Sequence, residues 1–288
     1  MDILGELWVQ VQYKQQGPKE LSLVVVKGTG PCLFGRNWLC HIQLDWKSIA
    51  IVSSHDSMGD VSVLLHKYSD VFCDELGTIK SHTAKLVIKE GSQPKFCRAR
   101  QVPYATRASV EAELDRLERI GVLEKVDTSD WATPVVAVPK KNGRVRLCED
   151  YKVTLNPAMD VDKYPLPRVE DMFATLAGGK HFTHLDLADA YQQLILGEDS
   201  RKFVTINTHR GLYRYKRLPF GVASAPAVFQ RTMDTILQGL DGVVCYIDDV
   251  LVTGKTYDDH LRNLEKVLQR MNMGCECGRR SANFSAQV

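Results

Sequence analysis

The sequence predicts an α+β fold, an antiparallel sheet with helices packed on it, from three local patterns. Two apolar runs, residues 242–247 and 250–254, flank Asp248-Asp249 as the arms of a hairpin flank its turn. Trp131 to Pro139 and Val145 to Cys148 flank Lys140-Lys141-Asn142-Gly143-Arg144, and Asn-Gly favours a tight turn between strands. Val110, Leu114, Leu117 and Ile120 recur at steps of four, three and three, the stripe of an amphipathic helix that Gly121 can cap.

In chain order, residues 1–46 alternate apolar and polar positions, with Leu21 to Val26 as a buried strand followed by a Gly-Thr-Gly-Pro turn. Residues 47–95 are polar and mixed, with turn clusters at Asp56 to Asp60 and Lys89 to Pro94, and read as a linker. Residues 96–288 then hold the helix of Val110, the basic hairpin, an apolar stretch carrying Asp186, a helix starting after Pro226, and the Asp248 hairpin. These bounds give three parts.

A chain of 288 residues with 44% apolar content fits one large or two modest globular domains. The net charge of +2 excludes an overall basic protein, but Lys140, Lys141, Arg144, Arg146 and Lys152 set against Glu149 and Asp150 form a local excess. Eight cysteines lack zinc-finger spacing, and Cys275-Glu-Cys277 has no second ligand pair nearby. The chain opens on no signal segment and has no apolar run near the roughly 20 residues that span a bilayer. The expectation is a reduced intracellular protein with no membrane partner.

Asp186, Asp248 and Asp249 offer the ligands of a two-metal phosphoryl-transfer site. Two Mg²⁺ ions roughly 3.5–4 Å apart need several hard oxygen ligands converging from different segments, and aspartates on two strand ends supply them. An Asp-Asp pair between β-branched runs is equally a solvated turn, and taken alone the turn is favoured. A lysine pair at a hairpin tip likewise serves to keep an edge soluble. Tyr191, five positions after Asp186, divides evenly between a core tyrosine and a side chain facing a substrate sugar. His184, His209 and His260 are read as structural.

Asp186-Leu-Ala-Asp-Ala-Tyr191, Arg217-Leu-Pro-Phe-Gly-Val-Ala-Ser-Ala-Pro-Ala-Val-Phe-Gln230 and Tyr246-Ile-Asp-Asp249, in this order, resemble the fingers and palm of a reverse transcriptase over about residues 70–270. Tyr164-Pro-Leu-Pro167, Thr205-Ile-Asn-Thr-His209 and Leu218-Pro-Phe-Gly221 narrow the resemblance to the Pol polyprotein of gypsy-type (Metaviridae) LTR retrotransposons, since retroviral enzymes usually carry Gln in place of Phe220. The resemblance implies an RNA-directed DNA polymerase using two Mg²⁺ ions, with Mn²⁺ the alternative. Its partners would be dNTPs and an RNA or DNA template with primer. It places Asp186 and Asp248 on both ions, with Asp249 contributing less directly. Lys141 and Arg146 would hold the triphosphate by charge-assisted hydrogen bonds, with Lys140 competing for the lysine's role. Tyr191 would exclude a 2′-hydroxyl by steric clash, and Phe220 and Gly221 would lie against base and sugar. Backbone amides at Asp189 and Ala190, at a helix N-terminus, would meet phosphate oxygens. Glu149 departs from the family's usual glycine.

Gly35-Arg36-Asn37 resembles the C-terminal end of a retropepsin-type aspartic protease, so residues 1–46 are expected to be a remnant of that domain, without its Asp-Ser/Thr-Gly loop. A helix over His260 to Met271 fits the polymerase family, whereas residues 272–288 depart from it, and no thumb, RNase H or integrase follows. The resemblance thus implies a truncated fragment, inactive alone, whose partners are the other Pol domains (protease, RNase H, integrase). Its place would be a cytoplasmic virus-like particle or the nucleus. A non-catalytic nucleic-acid-binding remnant of Pol is the alternative.

Overall fold

A computed structural model describes residues 3–13, 16–27, 38, 41–42, 58–72, 76–140, 145–276 and 284–287. Two compact units divide the chain, residues 1–59 and 60–288.

The first unit is built on a hairpin. Strands β1 (Ile3–Val11) and β2 (Lys19–Val26) pair antiparallel, with Leu7 opposite Leu23 and Val9 opposite Leu21. Among the described residues of β2 only Leu21 is buried, and Leu23, Val24, Val25 and Val26 are exposed, so the buried strand expected over residues 21–26 is a largely exposed one. The indole of Trp38 donates to the Ser22 carbonyl at 2.6 Å. Gly35-Arg36-Asn37 lie outside the described residues.

The larger unit runs α1 (Met58–Lys67), β3 (Thr78–Ala84), α2 (Tyr104–Arg119), β4 (Leu123–Val126), β5 (Thr133–Pro139), β6 (Val145–Glu149), α3 (Val169–Leu176), β7 (His181–Leu187) and β8 (Leu194–Leu196). It continues through β9 (Thr205–Thr208), β10 (Gly211–Tyr215), α4 (Ala225–Ile236), β11 (Val243–Tyr246), β12 (Asp249–Gly254), α5 (Tyr257–Gly274), β13 (Cys275–Glu276) and β14 (Phe284–Gln287). The linker expected over residues 47–95 is corrected in its described part: α1 and β3 belong to the fold, and β3 pairs parallel with β8 and antiparallel with β13. Its sequence is too polar to announce a strand whose partner lies far along the chain.

The stripe of α2 turns Val110, Leu114 and Leu117 into the core, and Gly121 at φ +73° ends the helix as its position in the sequence suggests. A five-stranded sheet in the order β4-β10-β9-β5-β6 carries the basic hairpin at its edge, with Val135 opposite Glu149 and Pro139 opposite Val145. A four-stranded antiparallel sheet, β11-β12-β7-β14, carries the aspartates. Residues 284–287 thus add a strand beside β7, where the sequence offers no pattern. Leu185, Val250 and Val252 from this sheet meet Phe229 of α4 and Leu264, Val267 and Leu268 of α5 in one core. No helix among the described residues is long and apolar enough to cross a membrane.

Candidate active site

The two halves of the acidic motif meet because β7 and β12 are hydrogen-bonded neighbours. Their register sets Asp186 directly opposite Asp249, which puts both side chains on one face of the sheet. Asp248 occupies the two-residue turn between β11 and β12, and its carbonyl accepts from the Leu187 amide at 2.9 Å. Ile247, the other turn residue, sits at φ +55°. A β-branched side chain in left-handed backbone is strained by about 1–2 kcal/mol, so its surroundings must hold it there. They do so through Gln230 of α4, fully buried, whose Oε1 accepts from the Ile247 amide at 2.7 Å while its Nε2 donates to the Cys245 carbonyl at 2.9 Å.

An open cleft of about 560 Å³ lies between the two sheets. Asp186, Asp189 and Asp248 line it together with Lys140 and Arg146 of the basic hairpin and with Phe220 and Gly221. Gly221, at φ +82°, takes a backbone conformation that side-chain-bearing residues rarely adopt. Lys141 lies outside the described residues. Asp249 is not among the cleft-lining residues: its Oδ1 is 2.6 Å from Nε2 of His184, so that histidine contacts the acidic motif. Among the described residues, no group of three or more His, Cys, Asp or Glu side chains gathers closely enough to hold a metal ion as it stands.

The expected helix at Asp189 is corrected to a single 3₁₀ turn over Ala190–Gln193, entered through Asp189 at φ +49°. Ala190 is buried and does not line the cleft. A four-residue turn lacks the aligned peptide dipoles of a helix, so the anion site expected at its start has no helix behind it. Tyr191 is half-buried behind Phe220, with ring centroids 5.0 Å apart, and stands edge-on to Phe229 at 5.5 Å. Burial, then the charge of Asp248, pushes its hydroxyl up to about 12.

Three features of the cleft and of the turn beside it escape sequence reasoning. Glu113 and Arg116 of α2 line it as a bidentate pair, both bonds 2.8 Å, and such spacing on a helix reads as a solvated face. Gln230 ends the segment that begins at Arg217, yet nothing in the sequence shows which amide it meets. Glu149 turns its carboxylate to the buried hydroxyl of Tyr215, and burial pushes it up to about 7 against the lowering effect of that hydrogen bond. The hydroxyl of Tyr151, two residues after Glu149, is buried without a hydrogen-bond partner among the described residues.

A family profile described as reverse transcriptase (RNA-dependent DNA polymerase) matches residues 138–274, from the end of β5 through β6, both aspartate strands and the helix after them. The chain carries a reverse transcriptase domain of the retrotransposon Pol polyprotein kind. It is 35% identical over 218 residues to the retrovirus-related Pol polyprotein from transposon opus of Drosophila melanogaster, covering 73% of this chain and 22% of that protein. An uncharacterised protein of Caenorhabditis elegans is 35% identical over 268 residues, covering 90% of this chain and 21% of its own length. The Tf2-3 transposon polyprotein of Schizosaccharomyces pombe is 37% identical over 172 residues, 59% of this chain and 13% of that one. The chain thus spans about a fifth of the first two relatives. The crystal structure of prototype foamy virus protease-reverse transcriptase shares its fold, with a TM-score of 0.70 at 24% identity over 79% of this chain and 31% of that one. The foamy viral enzyme in complex with an RNA/DNA hybrid superposes over 94% of this chain and 38% of that one, at a TM-score of 0.70 and 19% identity.

Proposed function

We propose that the reverse transcriptase domain works as an RNA-directed DNA polymerase of a gypsy-type LTR retrotransposon, adding dNTPs to a primer on an RNA or DNA template. One observation carries the reading: Asp186 and Asp248 share a cleft with Lys140 and Arg146. A polyanionic nucleotide needs cations on one side, and a reacting phosphate needs metal-binding oxygens on the other. Asp186 from β7 and Asp248 from the β11–β12 turn bring carboxylate oxygens, the donor type that hard divalent cations take, to one cleft. Asp186 and Asp248 would hold two Mg²⁺ or Mn²⁺ ions, and the bond between Asp249 and His184 accords with a lesser part for Asp249. When bound, such ions lower the charge on the attacking hydroxyl and on the leaving oxygen.

The chain's own share is positioning. Lys140 or Lys141, with Arg146, orients the triphosphate, and Phe220 and Gly221 support the base and sugar. Residues 1–46 fit the same reading as a protease remnant, and RNase H, integrase and a virus-like particle in the cytoplasm complete it.

The test uses the full-length polyprotein. Asp186→Asn or Asp248→Asn should cut Mg²⁺-dependent primer extension more than about a hundredfold, since losing a metal ligand removes several kcal/mol of transition-state stabilisation. Binding of primer-template should stay near wild type. Near-normal extension by either variant would sink the assignment, and a wild-type protein that binds primer-template without extending it is a binding remnant.

A further inference from the structure

The turn bearing Asp248 is held from behind by a chain of hydrogen bonds that leaves the cleft. The Tyr164 hydroxyl donates to Oδ2 of Asp234 at 2.7 Å, and Oδ1 of Asp234 accepts from Nε2 of Gln230 at 2.8 Å. That same Nε2 reaches the Cys245 carbonyl, and Oε1 of Gln230 takes the amide of Ile247. We propose that Tyr164, Asp234 and Gln230 form a positioning relay that fixes the strained Ile247-Asp248 turn and so holds Asp248 where the cleft requires it.

The geometry leaves little freedom. A side-chain amide can be seated either way round, and here its nitrogen faces two acceptors while its oxygen faces a backbone N–H. Flipping it would set N–H against N–H at Ile247 and oxygen against both the Cys245 carbonyl and a carboxylate. Asp234 reinforces the orientation that the Ile247 amide and the Cys245 carbonyl require, and Tyr164 holds the second oxygen of Asp234. Tyr164 is itself fixed: its amide donates to Asp162 Oδ1 at 3.0 Å, and the Arg231 guanidinium, paired with Asp162, lies 5.1 Å above its ring. The Tyr164-to-Pro167 segment and the Asp248 turn, far apart in sequence, are thus joined through one face of α4.

The consequence for metal binding rests on the polymerase reading above; the consequence for the turn does not. Asp234→Asn leaves one acceptor oxygen for two donors, and Tyr164→Phe removes one donor outright. Amide hydrogen exchange on the intact 288-residue chain reads the turn through peptides covering Tyr246 to Asp249. Exchange there should quicken about fivefold to thirtyfold in Asp234→Asn and by less in Tyr164→Phe, with the rest of α4 unchanged. Thr235→Ala, on the exposed side of the same helix, should leave the turn as in wild type. In the same variants, Mn²⁺ titration followed by its paramagnetic signal should show Kd raised about threefold to tenfold.

Unchanged exchange at the turn in both relay variants would overturn the proposal, and so would equal loosening in Thr235→Ala. Quickened exchange with Mn²⁺ binding unaltered, or absent from the wild type, would support the hold on the turn. It would count against the metal reading alone.

Discussion

Tyr191 does not itself line the cleft, and its ring contacts both buried Phe229 and cleft-lining Phe220. Core packing explains the first contact, because an edge-on pair of rings gains beyond its buried area. The second hands its position to a residue that lines the cleft, so a smaller side chain should be felt there as space. Tyr191→Val in the full-length polyprotein is expected to lower the dNTP-over-rNTP ratio of kcat/KM by roughly tenfold to a hundredfold. It should also destabilise the fold by about 1–3 kcal/mol through lost packing. Steady-state kinetics with paired nucleotides separates the two effects. A lowered Tm with an unchanged ratio would leave Tyr191 a core residue.

Where β12 passes under α5 the two backbones touch, and the contact depends on one missing side chain. A Cβ on Gly254 would lie 2.2 Å from the His260 amide nitrogen and 2.5 Å from its Cα, both backbone atoms that cannot swing aside. Gly254→Ala should therefore push α5 off the sheet that carries the aspartates, destabilising the larger unit by about 2–4 kcal/mol. Urea unfolding measures this, and a loss under about 0.5 kcal/mol would show that the helix slides without strain. Elements like this one divide what the sequence discloses from what it hides. The stripe of α2, its Gly121 stop and the two hairpins are legible because each is a local pattern of period or turn. The first of them is seen again in the burial of Val110, Leu114 and Leu117. Strand β3 is not legible, since Thr78 to Ala84 is largely polar and its partners β8 and β13 are distant in sequence. At the site, the aspartates were legible by type, while the bond of Asp249 to His184 and the burial of Glu149 depend on which strands become neighbours. The exposure of Leu23 to Val26 shows the converse, an apolar run that reads as buried and is exposed.

For the molecule as a whole, Glu149 links folding to pH. Its carboxyl rises from an ordinary 4.5 to about 7 because burial disfavours the charged form more than the Tyr215 hydroxyl favours it. Below the unfolded value both states hold the proton, and the contribution of Glu149 is fully present. Between about 4.5 and 7 the unfolded chain gives up the proton while the folded one keeps it, so stability falls as pH rises and stays reduced above the folded value. A complete shift of that size corresponds to about 1.4 kcal/mol per unit, and partial exposure of the side chain reduces the total to on the order of 1–2 kcal/mol. Glu149→Gln keeps a hydrogen-bonding oxygen for Tyr215 and has no proton to lose. Thermal unfolding from pH 5 to pH 9 should show the variant level with wild type at the acid end and higher by a few degrees at pH 8. Parallel curves for the two proteins across that range would mean that Glu149 ionises as freely in the folded state as in the unfolded chain.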